Sequence, residues 1–286
     1  VTSGDKMKRL SEILKKMGGV AIAFSGGVDS TFLAAAAKKV LGDNVLLITA
    51  LSPTYPEKEQ KTARQLARRL GIKQEIIVSN ELKIPGFAEN PVNRCYFCKK
   101  ELFSIVKELA HKKGIEVVVD GSNADDLADY RPGRKALKEL GVRSPLLEAG
   151  FTKKDIRHFS RKIGLPTADK PSMACLASRF PYGSKITEKK LTAVDKVEDF
   201  LLSKGFRQVR VRHHGEIARI EVEPSELEKI LKPGLREKIA NCARKSGFTY
   251  VALDLEGYRT GSMNETLSSD LKKSNVRAGR RRLKDG

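Results

Sequence analysis

The sequence predicts an α/β protein: a doubly wound parallel sheet followed by a small C-terminal α/β domain. Three observations carry this reading. Short apolar runs alternate with helical patterns through the first half of the 286 residues. The first of those runs empties into a glycine-rich loop that opens a helix. After Gly183 the texture changes to one long amphipathic helix, an alternating hairpin and a further strand.

The strands are read at 20–24 (VAIAF), 45–50 (VLLITA), 74–78 (QEIIV) and 116–120 (EVVVD). Helices fall between them at 29–41, 57–71 and 99–113, and further helices are read at 131–142 and 152–164. Thr152 is the expected N-cap of the last, with Asp155 three residues on as in a capping box. A breaker-rich stretch, Lys170–Gly183, joins the halves. Beyond it come a helix at 187–204, strands at 206–212 and 216–222 around a turn at His213-His214-Gly215, short helices at 224–231 and 234–246, and a strand at 248–254. The expected divisions are residues 1–183, 184–266 and a basic, mobile tail at 267–286.

No apolar run is long enough to span a membrane. The polar start VTSGDKMKRL has no signal-peptide core, so the cytoplasm is the expected compartment, and Val1–Lys6 is expected to be an added stretch before a natural start at Met7. The net charge is +20, and the last twenty residues supply +5 of it. The remaining basic body fits an anionic substrate, a nucleic acid or a general surface bias. Four cysteines are too few for a disulfide scaffold.

Ligands of such sheets bind beyond the carboxyl ends of the strands. There lies Ser25-Gly26-Gly27-Val28-Asp29-Ser30, between a buried strand and the first turn of a helix. The unpaired N–H groups and positive end of that helix attract phosphate oxygens. Gly26 and Gly27 admit a close approach, and Ser25 and Ser30 add hydroxyls. The lysine of a Walker loop is missing. After the fourth strand, Asn123, Asp125, Asp126 and Asp129 offer oxygen ligands for Mg²⁺, with a capped turn as the alternative.

Cys95 and Cys98 form a C-x-x-C at the expected start of the third helix, and Cys175 lies in the joining loop with Ser178 and Arg179. From the residues alone an iron–sulfur cluster with three protein ligands, a zinc site completed by Cys242 or a histidine, and a redox or inert dithiol all stand open. Arg210 and Arg212 share one face of a strand, where two guanidiniums suit a phosphate or carboxylate. Arg219 on the partner strand either joins them or faces away. Arg259 sits in a glycine-rich turn that suits ligand contact or turn stabilisation equally.

SGGVDS resembles the pyrophosphate loop of the N-type ATP pyrophosphatases (PP-loop, adenine nucleotide α-hydrolase-like fold). The resemblance implies ATP cleaved between its α and β phosphates, with Val28 and the rest of the loop on the nucleotide, Asp29 placing Mg²⁺, and the Asn123–Asp125 segment facing it. With DGSNADDLADYRPG, CLASRFPYG, VRVRHHGEIARIE and LDLEGYRTGSMNETL, the chain from about Met7 to Leu267 is similar to the LarE family. These are ATP-dependent sulfur transferases of nickel-pincer nucleotide synthesis, which serves lactate racemase. The resemblance implies adenylation of the carboxylates of pyridinium-3,5-biscarboxylic acid mononucleotide and their conversion to thiocarboxylates. It places Ser178, Arg179, Arg210, Arg212 and Arg259 on the substrate, with Glu198 and Cys175 in the active site. The C-x-x-C resembles members with a [4Fe-4S] cluster, implying Cys95, Cys98 and Cys175 as its ligands and not Cys242. Members without it sacrifice a single cysteine, here Cys175. The resemblance implies a homo-oligomer, such as a hexamer, with the sulfur donor unidentified. A tRNA thiolation enzyme is the main rival, although nothing near the C-terminus resembles an RNA-binding module.

Overall fold

The computed structural model describes residues 3–127, 132–259 and 261–265. Asp129 and the basic tail lie outside the described residues. Four parallel strands, β1 (Val20–Ala23), β2 (Val45–Leu51), β3 (Lys73–Val78) and β4 (Val118–Val119), form one sheet in the order β3-β2-β1-β4. Their connections are α2 (Val28–Leu41), α3 (Glu57–Leu70) and α4 (Arg94–Lys112), after an initial α1 (Ser3–Met17). The order reverses between β1 and β4, which puts the loops after these two strands side by side.

The period of two decides which side each residue serves. Val20, Ile22 and Phe24 belong to a core with α1 and α2, while Ala21 faces Phe103 and Val106 of α4. Both faces are therefore covered, as the continuous apolar runs require. α5 (Gly133–Glu139) packs on α4. α6 (Pro145–Glu148) meets α1, and α7 (Lys153–Lys162) meets α2. α7 starts with the expected capping box, Thr152 and Asp155 satisfying each other's end of the turn. Lys6, in the stretch read as added, pairs with Asp155 at 2.6 Å.

The second sheet has the order β5-β6-β7, from β5 (Val209–His214), β6 (Ile217–Val222) and β7 (Tyr250–Leu253). β5 and β6 are the expected antiparallel hairpin, and β7 joins in parallel. Helices α8 (Glu188–Ser203), α9 (Leu227–Leu231) and α10 (Leu235–Lys245) complete the unit, and Val211, Ala218 and Ile220 pack with Leu201 of α8 in its core.

Three expectations are corrected. α1 carries no glycine-rich or cysteine motif and went unread, yet it seals one face of the sheet with Leu10 and Leu14. The C-x-x-C lies inside α4, which starts at Arg94 rather than Lys99, because Arg94 and Tyr96 already donate to the carbonyls of Pro91 and Asn93. His213 and His214 belong to β5, opposite Ala218 and Ile217, and leave the turn to Gly215 and Glu216.

Candidate active site

The loop after β1 is tight. Ser25 Oγ and Ser30 Oγ lie 3.2 Å apart, and the Gly27 N–H donates to Ser25 Oγ. Gly26 takes φ +68°, and a Cβ there would stand 2.9 Å from Ala63 Cα of α3. Val28 is buried at the start of α2 and Thr31 N–H closes the first turn on the Gly27 carbonyl. Gly121, just past β4, packs so closely that a Cβ would lie 3.1 Å from Ser30 N. The two strand-end loops thus form one floor.

Around that floor the structure places residues no motif pointed to. Lys153 of α7 forms an ion pair with Asp29. Lys170 donates to the Gly26 carbonyl at 3.1 Å and to Glu59 at 2.6 Å. Asn123 Oδ1 accepts the Asp125 N–H, Asp126 accepts the Asn123 N–H, and Asp125 accepts the Lys153 N–H. These side chains cap their own turn and the start of α7 beside the loop. Asp29, expected to place Mg²⁺, stands in the first turn of α2 with the Lys153 ammonium as its counter-charge.

Lys170 begins the segment that carries Cys175. The Leu176 N–H donates to the Thr54 carbonyl at 2.7 Å, tying this segment to the loop after β2. On that loop Tyr55 is pushed well above the ordinary phenol range, by burial first and then by Cys98, Cys175, Glu81 and Cys95. Burial likewise raises Cys98 far above the ordinary thiol range, with Cys175, Glu81 and Cys95 adding and Lys99 partly opposing. Glu81 is buried and accepts the hydroxyls of Ser52, Thr54 (3.2 Å) and Ser79 (3.0 Å). A cleft of about 320 Å³ between Glu81 and α4 exposes one side of Cys98.

The three thiols therefore share one neighbourhood, and their soft donor chemistry suits iron–sulfur or zinc. Among the described residues no three His, Cys, Asp or Glu side chains are arranged to enclose a metal ion. Cys242 stands on α10, where its carbonyl accepts the Ser246 hydroxyl.

The backbone of the Cys175 loop is held by Arg179. Its Nη1 donates to the Ala174 and Cys175 carbonyls and to Ser178 Oγ, while Nε and Nη2 fork onto Glu198 at 2.8 and 2.7 Å. Both partners are almost fully buried. Glu198 also accepts the Val211 N–H at 2.8 Å, linking α8 to β5. Arg210 and Arg212 do share a face, and Arg219 joins them, opposite Arg212 in the hairpin. The face is buried. Arg212 forks onto Glu221 and donates to the Ser178 carbonyl and Ser262 Oγ. Arg210 donates to the Val209 and Ser172 carbonyls and lies over Tyr258; burial and the Arg179 charge pull it down to about 10. Arg259 pairs with Asp254, Glu256 and Glu265 within its own turn.

Between the two sheets, Asp195 of α8 accepts the Glu57 N–H at the start of α3. Burial raises this carboxyl to about 6. The folded protein then holds the proton more tightly than the unfolded chain, so stability falls as pH rises from about 4 to 6 and levels off above. Asp195→Asn is expected to remove that contribution, read as a gain in urea midpoint over the wild type that is larger at pH 7 than at pH 4.5. An unchanged slope would mean Asp195 titrates normally.

A strand, a glycine-rich anion loop and a helix at the switch point of a parallel sheet are the framework of an α/β ATP pyrophosphatase, and the comparisons agree. The asparagine synthase family matches residues 14–162. The chain is 37% identical over 268 residues to pyridinium-3,5-bisthiocarboxylic acid mononucleotide synthase of Lactiplantibacillus plantarum, covering 93% of this chain and 96% of that one. It is 43% identical to an uncharacterised protein of Synechocystis, over 92% of this chain and 98% of the other. Similarity to the glutamine-hydrolysing GMP synthase of Aeropyrum pernix is 28% over 57% of this chain and 35% of that enzyme. The chain belongs to the LarE family and is an ATP-dependent sulfurtransferase. Among the described residues no helix is long and apolar enough to cross a membrane.

Proposed function

We propose that this protein uses ATP to adenylate the carboxylates of pyridinium-3,5-biscarboxylic acid mononucleotide and converts them to thiocarboxylates for a nickel-pincer nucleotide. The observation that carries the reading is continuity between the two halves of the site. Lys170 touches the phosphate loop at Gly26, and five residues later Cys175 stands among the thiols. A substrate carboxylate between them has ATP on one side and sulfur chemistry on the other.

In this reading the loop from Ser25 to Ser30 holds the phosphates and Asp29 carries Mg²⁺, which neutralises phosphate charge. A carboxylate oxygen attacks the α-phosphorus, the bond to the β-phosphate breaks, and pyrophosphate leaves. A sulfur nucleophile then attacks the acyl carbon and AMP departs, leaving the thiocarboxylate. Lys153 and Lys170 stabilise the charge that develops on the leaving pyrophosphate. Arg179 keeps the Cys175 backbone fixed, and Glu198 keeps Arg179 fixed. Cys95, Cys98 and Cys175 would hold a [4Fe-4S] cluster, which when bound supplies a soft site for an added sulfide. The second sheet is read as the substrate and assembly module of a cytoplasmic homo-oligomer.

The test is anaerobic incubation with ATP, Mg²⁺, the biscarboxylate mononucleotide and sulfide. Pyrophosphate, AMP and a product with oxygen replaced by sulfur are expected. Pyrophosphate release without the pyridinium compound but with tRNA would move the reading to tRNA thiolation. After reconstitution, about four irons per chain are expected, lost on replacing Cys95, Cys98 or Cys175 and kept in Cys242→Ser. Protein without iron that still transfers sulfur, with Cys175 converted to dehydroalanine, would establish the sacrificial route instead.

A further inference from the structure

Arg94 is the first residue of α4 and is 5% exposed. Its Nε and Nη1 are buried and meet no acceptor, and among the described residues no other guanidinium leaves two nitrogens so. The Tyr182 ring lies against it, with the guanidinium carbon 4.9 Å from the ring centroid. That face attracts the charge but supplies no lone pair directed at each N–H. The Tyr182 hydroxyl itself donates to Asn264 Oδ1 at 3.0 Å.

The arginines expected to meet the substrate are differently placed. Arg179 and Arg212 are saturated by Glu198 and Glu221 and by backbone carbonyls, and Arg210 is bound to two carbonyls. A buried guanidinium is normally matched by a carboxylate or carbonyls. Arg94 alone among these four has two buried guanidinium nitrogens without an acceptor.

Its position adds a second attraction for an anion. α4 is nineteen residues long, has no acidic residue in its first turn, and receives no side-chain cap from Asn93. The Arg94 and Tyr96 N–H groups are paired with the Pro91 and Asn93 carbonyls, so what the helix start adds near Arg94 is the positive end of its dipole. Nε and Nη1 lie on different edges of the guanidinium, so a planar or tetrahedral oxyanion would pair one of them with Nη2 in two-point fashion.

We propose that Arg94 and the start of α4 form an oxyanion site that binds a carboxylate or the phosphate of the nucleotide substrate. The identity of that ligand rests on the reading under Proposed function; the existence of the site does not. Arg94 holds the substrate at the joint between α4 and the Phe180–Gly183 turn, on the element that carries Cys95 and Cys98. It binds and does not react.

The test compares the full-length protein with Arg94→Gln and Arg94→Lys by isothermal titration, with a non-hydrolysable ATP analogue filling the phosphate loop. The ligands are the biscarboxylate mononucleotide, its nucleoside without phosphate, benzene-1,3-dicarboxylate and inorganic phosphate. Arg94→Gln is expected to weaken the mononucleotide about 10- to 100-fold and leave the ATP analogue unchanged. Arg94→Lys should fall between, because it keeps the charge and loses the fork. If the site takes the phosphate, the penalty disappears with the nucleoside; if it takes a carboxylate, it persists there and with benzene-1,3-dicarboxylate. Wild-type affinity of Arg94→Gln for all four ligands would overturn the proposal. So would altered iron loading with anion affinity intact, which would make Arg94 a partner of the thiols. If Arg94→Gln does not fold, Arg94→Lys decides by the same criteria. Should the wild type transform no pyridinium substrate and yet bind the dicarboxylate or phosphate through Arg94, the site stands and the substrate reading falls.

Discussion

Gly26→Ala is expected to lower kcat/KM for ATP-dependent pyrophosphate release by about 100-fold or more, since displacement of a positioned group by about 1 Å has that effect. Two forces act on the new methyl. The φ of +68° is one that L residues adopt at a cost of about 1–2 kcal/mol. The Cβ also lands 2.9 Å from Ala63 Cα, in the backbone of α3, which cannot rotate aside as a side-chain tip would. The loop must shift, and with it every N–H proposed to hold phosphate. Gly18→Ala is the matched control: φ is +70°, but nothing lies within 4 Å of the added carbon. It should cost stability only, with ATP turnover unchanged. Equal ATP kinetics in the two variants would remove the loop from the proposed site.

Arg179→Ala is expected to destabilise the protein by about 3–5 kcal/mol, the usual cost of leaving one member of a buried ion pair alone. Glu198 is then left inside α8 with the Val211 N–H as its remaining bond among those described. Thermal unfolding should fall by on the order of 10 °C. The Cys175 loop loses its two carbonyl contacts at the same time, so sulfur transfer should fall even at temperatures where the variant is folded. Arg179→Met combined with Glu198→Leu separates the effects. Stability should largely return, because two apolar side chains replace the pair, while transfer should not. Recovery of both would make the pair purely structural.

Much of this arrangement was legible in the sequence. A buried strand ending in Gly-Gly before an alanine-rich helix specifies the strand–loop–helix at the head of the sheet by local chemistry alone. Cys95 and Cys98 were legible as a thiol pair on the third helix, but the start of that helix was not. Pro91 and Asn93 turn the chain early, and the aromatic residues between the cysteines carry no clear period. The shared face of Arg210 and Arg212 followed from the strand period of two. Their burial did not, because it depends on Glu221 across the hairpin and on a turn some fifty residues further on. Lys153, Lys170, Tyr55 and Glu81 had no local signal: each is an ordinary residue made special by neighbours from another element. Arg94 belongs with them, since an unmatched charge is invisible until its surroundings are known.

The Asn90 side-chain amide donates to the carbonyls of Phe180 and Pro181, and the Asn90 backbone carbonyl accepts the Gly183 N–H. The segment before Cys95 and the segment after Cys175 are thus stapled into one piece, although Cys98 and Cys175 are far apart in the chain. During synthesis at about 5–20 residues per second, the vicinal pair on α4 leaves the ribosome roughly 4–15 s before its third companion. For that interval the nascent chain presents two thiols with no Cys175, no staple and no cover. On the proposed cluster reading, loading waits for the completed domain joint, and zinc or oxidant has those seconds in which to intercept the pair.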